Sequence, residues 1–201
     1  MGFLSVLSQA HRWVAERAGP GDAAVDATAG NGVDTLFLAR TVGPRGRVFA
    51  FDVQEAALAR TRERLEKARP DERQALAPVT LLLAGHERMR EHIPAGLHGR
   101  IRAVMFNLGY LPGADPAIIT RPSTTIAAMQ AALGLLQPGG VLTAVLYPGH
   151  PGGDAEAEAV ERWIAEQVPP SAAQAVLYRF PHRPKAPYLM ALEKKEKGRN
   201  S

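Results

Sequence analysis

The sequence predicts an α/β fold: a mostly parallel sheet of seven strands that ends in an antiparallel pair and is preceded by an extra N-terminal helix. Two observations carry this. Short apolar runs alternate with helical patterns over brief connections, the signature of a parallel sheet covered by helices on both faces. The last two strand-like runs, "AQAVLYRF" and "YLMALEK", have only "PHRPKAP" (181–187) between them, too few residues for a helical crossover, so they must pair antiparallel. A plain nucleotide-binding Rossmann sheet has no such closing pair. A length of 201 residues suits a single domain over 1–195, with 196–201 as a basic, frayed tail.

The elements follow in order. Leu4, Leu7, His11 and Val14 share one helical face, and "GPGD" ends that helix. "AAVDAT" is a short strand, and "VDTLFLARTV" a helix whose Val33, Leu36 and Phe37 face the sheet. "RVFAFDV" is the second strand, and "EAALARTRERLEKARP" an amphipathic helix stopped at Pro70. "PVTLLLAG", a short helix "ERMREHI" and the strand "IRAVMFN" come next. In "STTIAAMQAALGLLQPGG", Ser123 or Thr124 is the expected N-cap, Ile126, Met129, Leu133 and Leu136 the inward stripe, and Pro138-Gly139-Gly140 the stop. "VLTAVLYPG" is the fifth strand, and "DAEAEAVERWIAEQV" a helix with Val160, Trp163, Ile164 and Val168 inward.

Composition narrows the function classes. The chain has no cysteine, which removes disulfides, thiolate metal sites and cysteine nucleophiles together. No histidine pair has the i, i+4 spacing of a helical metal site, so no metal is expected. No apolar run approaches the roughly 20 residues of a membrane span, and the N-terminus reads as a helix and not as a signal peptide. The expectation is a soluble, cytoplasmic protein. A net charge of +4 permits a polyanionic partner without requiring one.

"VDATAGNGVDT" (25–35) is a strand, a tight loop with Gly30 and Gly32, and a helix start, where backbone can approach a ligand at the positive helix end. Some twenty residues on, Asp52 ends the second strand, where a carboxylate can accept both hydroxyls of a ribose. A dinucleotide fingerprint would place glycine or alanine where Thr35 stands, so an NAD-linked oxidoreductase remains the competing class on these residues. The antiparallel end of the sheet resembles S-adenosylmethionine (SAM) methyltransferases of the Rossmann-like class I fold. In that setting Asp26 favours a sulfonium or α-ammonium over a pyrophosphate. His86, in "LAGHERM", falls where such folds border an adenine ring; an exposed helix-capping histidine is the alternative.

Ligands of open parallel sheets bind at the C-terminal strand ends, near the switch in strand order. The fourth strand ends there in Asn107, and Asn-Leu-Gly-Tyr (107–110) resembles the Asn-Pro-Pro-Tyr motif of methyltransferases that act on exocyclic nitrogen. Methyl transfer from a sulfonium is an in-line displacement, so a neutral nitrogen must be held with its lone pair aimed at the methyl. The Asn107 side-chain carbonyl and the Leu108 backbone carbonyl can accept the N–H bonds, while Tyr110 offers a flat wall for a base.

The set "DATAGNGVDTLFLA", "FDVQ", "FNLGYLPG", "TTIAAM" and "YPGHPGG" resembles a small bacterial methyltransferase family labelled as rRNA methylases. Its members convert tRNA wobble 5-aminomethyl-2-thiouridine to the 5-methylaminomethyl form. The resemblance implies SAM as cofactor. Asp26, Thr28, Gly30, Asn31, Gly32, Asp34 and Thr35 would cradle its methionine end, with Asp52 and Gln54 on the ribose and adenine side. It further implies that residues 107–111 shape the transfer site with Thr125 and His150 on its rim. His150 and Asp115 are the candidates for taking the amine's proton. The implied partner is a tRNA anticodon stem-loop, with a homodimer left open and no membrane. Arg121, His182, Arg183 and Lys185 are the expected phosphate contacts. An rRNA nitrogen or a small-molecule amine is the competing substrate, and a cofactor-free RNA-binding module the remaining alternative class.

Overall fold

The computed structural model describes residues 2–68, 75–109, 120–149 and 152–196. Its strands are β1 (Ala23–Asp26), β2 (Arg47–Asp52), β3 (Val79–Leu83), β4 (Ile101–Asn107), β5 (Leu136–Leu146), β6 (Ala173–Tyr178) and β7 (Tyr188–Lys194). Its α-helices are α1 (Val6–Ala15), α2 (Val33–Val42), α3 (Glu55–Ala68), α4 (Met89–His92), α5 (Pro122–Leu135) and α6 (Gly153–Gln167). The strands form one sheet in the order β3-β2-β1-β4-β5-β7-β6. The pairs among β1 to β5 are parallel. As the short 181–187 connection requires, β6 and β7 pair antiparallel, and β7 is wedged antiparallel against β5.

Alternation along the strands divides the core in two. Val25, Phe49, Phe51, Val104, Phe106, Leu142 and Ala144 face α4, α5 and α6. On the opposite face, Ala24, Val48, Ala103, Met105, Val141 and Val145 meet α1 and α2. The chain runs outward from β1 through β2 to β3 and then returns to β4 on the other side of β1, so the switch in strand order falls between β1 and β4. Asp26 and Asn107 end those two strands, which puts them on either side of the crevice where ligands of such sheets bind.

Several local expectations are corrected by packing. In α1 the inward positions are Val6, Ala10 and Val14, whereas Leu4 and Leu7 are exposed; His11, on the expected face, meets Asp34 of α2. In α2 the fully buried apolar residues are Leu38, Ala39 and Val42; Leu36 and Phe37 are half-buried and Val33 is exposed at the mouth of the glycine loop. Helix α5 starts two to three residues earlier than expected, with Pro122 at its first position and Arg121 as an N-cap that makes no side-chain cap bond. Pro138-Gly139-Gly140 does not stop the helix: Leu135 ends it, and the glycines lie in β5 where the register against β4 shifts. The inward face of α6 is as expected, with Val160, Trp163 and Ile164 buried and Val168 packed against the same core. Of the expected basic tail, residues 197–201 lie outside the described residues. No described helix is long and apolar enough to cross a membrane.

Candidate active site

The loop between β1 and α2 is built as its glycines suggest. Gly30 and Gly32 adopt φ of 54° and 74°, the left-handed region that other residues enter at a cost. Gly32 is doubly constrained, since a Cβ there would lie 2.8 Å from the Thr61 backbone of α3. Helix α3 braces the loop from outside: Arg64 Nε donates to the Asn31 carbonyl at 2.6 Å and Thr61 Oγ1 to the Gly30 carbonyl at 3.3 Å. Asp52, across the loop at the end of β2, accepts the Gly30 N–H on one oxygen and the Gln54 N–H on the other, each at 2.9 Å. Its carboxylate is thereby fixed in orientation while each oxygen keeps a lone pair for a further donor. Val53 and Leu83 expose more than half of their surface beside it.

Asp26 is the site's most perturbed group. It has no exposed surface, and its two oxygens accept Thr28 N–H at 3.1 Å and Thr35 Oγ1–H at 2.5 Å. Burial first, then the negative charge of Asp34, pushes its carboxyl up to about 7. Asp34 is held from α1: His11 Nε2 bonds its Oδ1 at 2.6 Å, and the imidazole stacks on Phe37 with centroids 4.0 Å apart. Two carboxylates are therefore packed at the positive end of α2, and among the described residues no cation is paired with Asp26. A ligand bearing a positive charge relieves both burial and repulsion there, while a pyrophosphate would aggravate them.

Asn107 closes the crevice from the β4 side. Its backbone N–H donates to Thr28 Oγ1 at 2.7 Å, tying the tip of β4 to the loop after β1. Its side-chain oxygen Oδ1 is buried without a hydrogen-bond partner, one of two such atoms among the described residues. Leu108 continues the strand pairing through its N–H to the Val145 carbonyl at 2.9 Å and buries its side chain in the core. Tyr110, Leu111, Asp115 and His150 lie outside the described residues.

His86 is buried, which removes the alternative of an exposed capping histidine. Its ring meets Phe106 edge-on at 5.7 Å, and burial lowers its pKa, which favours the neutral imidazole. Thr125 is not on a rim. It is fully buried, and its hydroxyl donates to Glu156 of α6 at 2.6 Å; Thr120 Oγ1 bonds the other oxygen of Glu156 at 2.6 Å. His182, Arg183 and Lys185 are exposed on the β6–β7 turn, and Arg121 is exposed before α5. That turn reaches the strand-end edge of the sheet: the Lys185 carbonyl lies 2.9 Å from where a Gly149 Cβ would stand.

Sequence reasoning missed Glu156 and the function of His11. Glu156 stands in an acid-rich helix where nothing in the pattern marks one glutamate as buried. His11 carried a usable signal, a polar ring on an otherwise apolar helical face. The described residues hold no cluster of three or more metal-ligating side chains.

The strand order, the antiparallel β7 and a ligand crevice between β1 and β4 define the Rossmann-like class I methyltransferase fold. The chain belongs to the family described as "Putative rRNA methylase", whose model matches residues 48–194. It is 39% identical over 181 residues to the tRNA (mnm(5)s(2)U34)-methyltransferase, chloroplastic, of Arabidopsis thaliana, an alignment covering 88% of this chain and 64% of that one. The chain thus spans under two thirds of that relative's length. A Clostridium thermocellum protein bearing the family's description superposes with a TM-score of 0.87 at 39% identity, covering 96% of this chain and 100% of the other. A "putative methyltransferase" of Streptococcus mutans, solved in complex with SAH, gives 0.82 at 34% identity, covering 96% and 99%.

Proposed function

We propose that the chain is a SAM-dependent methyltransferase that methylates the aminomethyl nitrogen of 5-aminomethyl-2-thiouridine at the tRNA wobble position. The observation that carries this is the partnerless, buried Asn107 carbonyl oxygen at the tip of β4, the strand beside the one that ends in the Asp26 carboxylate. A buried acceptor without a protein partner is what an amine N–H would satisfy. The plant relative's name, a tRNA (mnm(5)s(2)U34)-methyltransferase, and the SAH complex of the streptococcal relative support the substrate and cofactor respectively.

The residues present fit SAM. Asp26 and Asp34 suit its cationic methionine end, the pinned Asp52 carboxylate suits a ribose diol, and exposed Val53 and Leu83 with buried His86 suit the adenine side. When bound, SAM supplies an electrophilic methyl on a sulfonium. This chain's own part is to orient: the Asn107 and Leu108 carbonyls hold the amine's N–H bonds, which leaves its lone pair free to point at the methyl carbon. A primary aliphatic amine is mostly protonated at neutral pH, so the site must also select or create the neutral form. Arg121, His182, Arg183 and Lys185, on the same edge of the sheet, would meet the phosphates of an anticodon stem-loop.

The family's description favours a second reading, with an rRNA nitrogen as the acceptor. Both are tested by incubating the protein and SAM with bulk tRNA and, separately, rRNA from a strain lacking the enzyme, followed by nucleoside mass spectrometry. The tRNA reading expects 5-aminomethyl-2-thiouridine to gain one methyl, with the gain lost in Asn107→Ala. Methyl appearing only in rRNA, or in tRNA at equal rates with both proteins, defeats it.

A further inference from the structure

Asn107 raises a question of orientation. A side-chain amide presents an acceptor on one side and a donor on the other, and only the acceptor serves an amine that must keep its lone pair free. Turned the other way, the NH2 would hydrogen-bond that lone pair and block the displacement. Something must therefore hold the amide in the useful sense.

We propose that Tyr147 is the positioning residue that sets the Asn107 amide, its hydroxyl taking the amide N–H so that Oδ1 is left facing the crevice; this rests on the proposed role of Asn107 as acceptor of the amine. Register puts the two together. Asn107 pairs with Val145, so Tyr147, two residues beyond and just past the end of β5, projects from the same face of the sheet. It packs with the cluster that contains Met105, Val145 and Leu189. The Asn107 side chain acts on the Tyr147 phenol in the sense that favours its ionised form, as a nearby amide N–H does, while the amide oxygen is buried and unpartnered. The Asn107 backbone is already fixed by Thr28, so the side-chain torsion is the remaining freedom. Burial first, then the charge of Asp34, raises the phenol's pKa, so the hydroxyl stays neutral and is not the group that takes the amine's proton.

The test compares wild type, Tyr147→Phe, Asn107→Ala and the double variant. Single-turnover methylation of undermodified tRNA should fall at least tenfold in Tyr147→Phe, with the SAM dissociation constant within twofold of wild type. The double variant should be no slower than Asn107→Ala alone, because Tyr147 acts through Asn107. Losses that multiply, or a Tyr147→Phe rate within twofold of wild type beside an inactive Asn107→Ala, overturn the inference and leave the proposed function standing. An Asn107→Ala variant at full rate removes the acceptor reading and this inference with it. A second readout needs no RNA. In NMR spectra of the SAH complex, the Asn107 side-chain NH2 protons, assigned by their loss in Asn107→Asp, should exchange with water at least tenfold faster in Tyr147→Phe. Equal exchange rates overturn the inference whatever the substrate is.

Discussion

Replacing Asp26 with asparagine should make the ligand-free protein more stable while disabling it. The carboxyl is fully buried, and burial followed by the charge of Asp34 moves its pKa from 3.8 to about 7. In the unfolded chain it ionises near 3.8, whereas the fold keeps the proton to about 7, so this group's cost to stability grows between those values and is complete above them. At about 1.4 kcal/mol per tenfold, that cost is on the order of 4 kcal/mol. Asparagine carries no such cost, and its oxygen can still accept Thr28 N–H while its NH2 donates to Thr35. If half the gain is realised, Asp26→Asn melts about 4–8 °C above wild type at pH 8, and by less at pH 5.5. Its affinity for SAM should fall by about a hundredfold or more, since a buried cationic contact is lost. In wild type, a cation beside Asp26 favours the ionised form, so SAM binding should release a proton and weaken below pH 7, approaching about tenfold per pH unit. Calorimetric melts with and without SAM at both pH values check this. A variant that melts below wild type at pH 8, or that binds SAM as tightly, refutes the reasoning.

Other perturbations follow from the same contacts. Gly32→Ala must place a Cβ at φ 74° and 2.8 Å from the Thr61 backbone, so denaturant unfolding should show a loss of about 2–4 kcal/mol. Thr125→Val removes one of the two hydroxyls that bond buried Glu156 among the described residues; a loss of about 1–3 kcal/mol is expected, and an unchanged midpoint would mean the carboxylate finds another donor. Arg183→Ala with Lys185→Ala should weaken tRNA binding and reduce the slope of log affinity against log salt by about 1–2, with SAM binding unaffected. Identical tRNA affinities across a salt series would remove those side chains from the interface.

Backbone-level features were readable from the sequence because they rest on local chemistry. Seven residues between two strand patterns dictated an antiparallel pair, and the paired glycines dictated a left-handed loop. Asn107 was legible as a strand end because the apolar run stops there. Side-chain partnerships were less accessible. Whether Thr125 faces solvent or Glu156 depends on how α5 meets α6, a long-range packing outcome that periodicity within one helix does not encode. The same holds for His11, whose partner Asp34 lies on another helix. Pro138-Gly139-Gly140 misled because those residues stop helices and also tolerate the irregular start of a strand.

The central claim is geometric, and a crystal structure of the complex with S-adenosylhomocysteine tests it most directly. The account predicts the ribose diol on Asp52, the amino group beside the Asp26 and Asp34 pair, and the sulfur directed toward the crevice lined by Asn107 Oδ1. Density for the ligand away from the ends of β1, β2 and β4, or with its sulfur turned from Asn107, would contradict it.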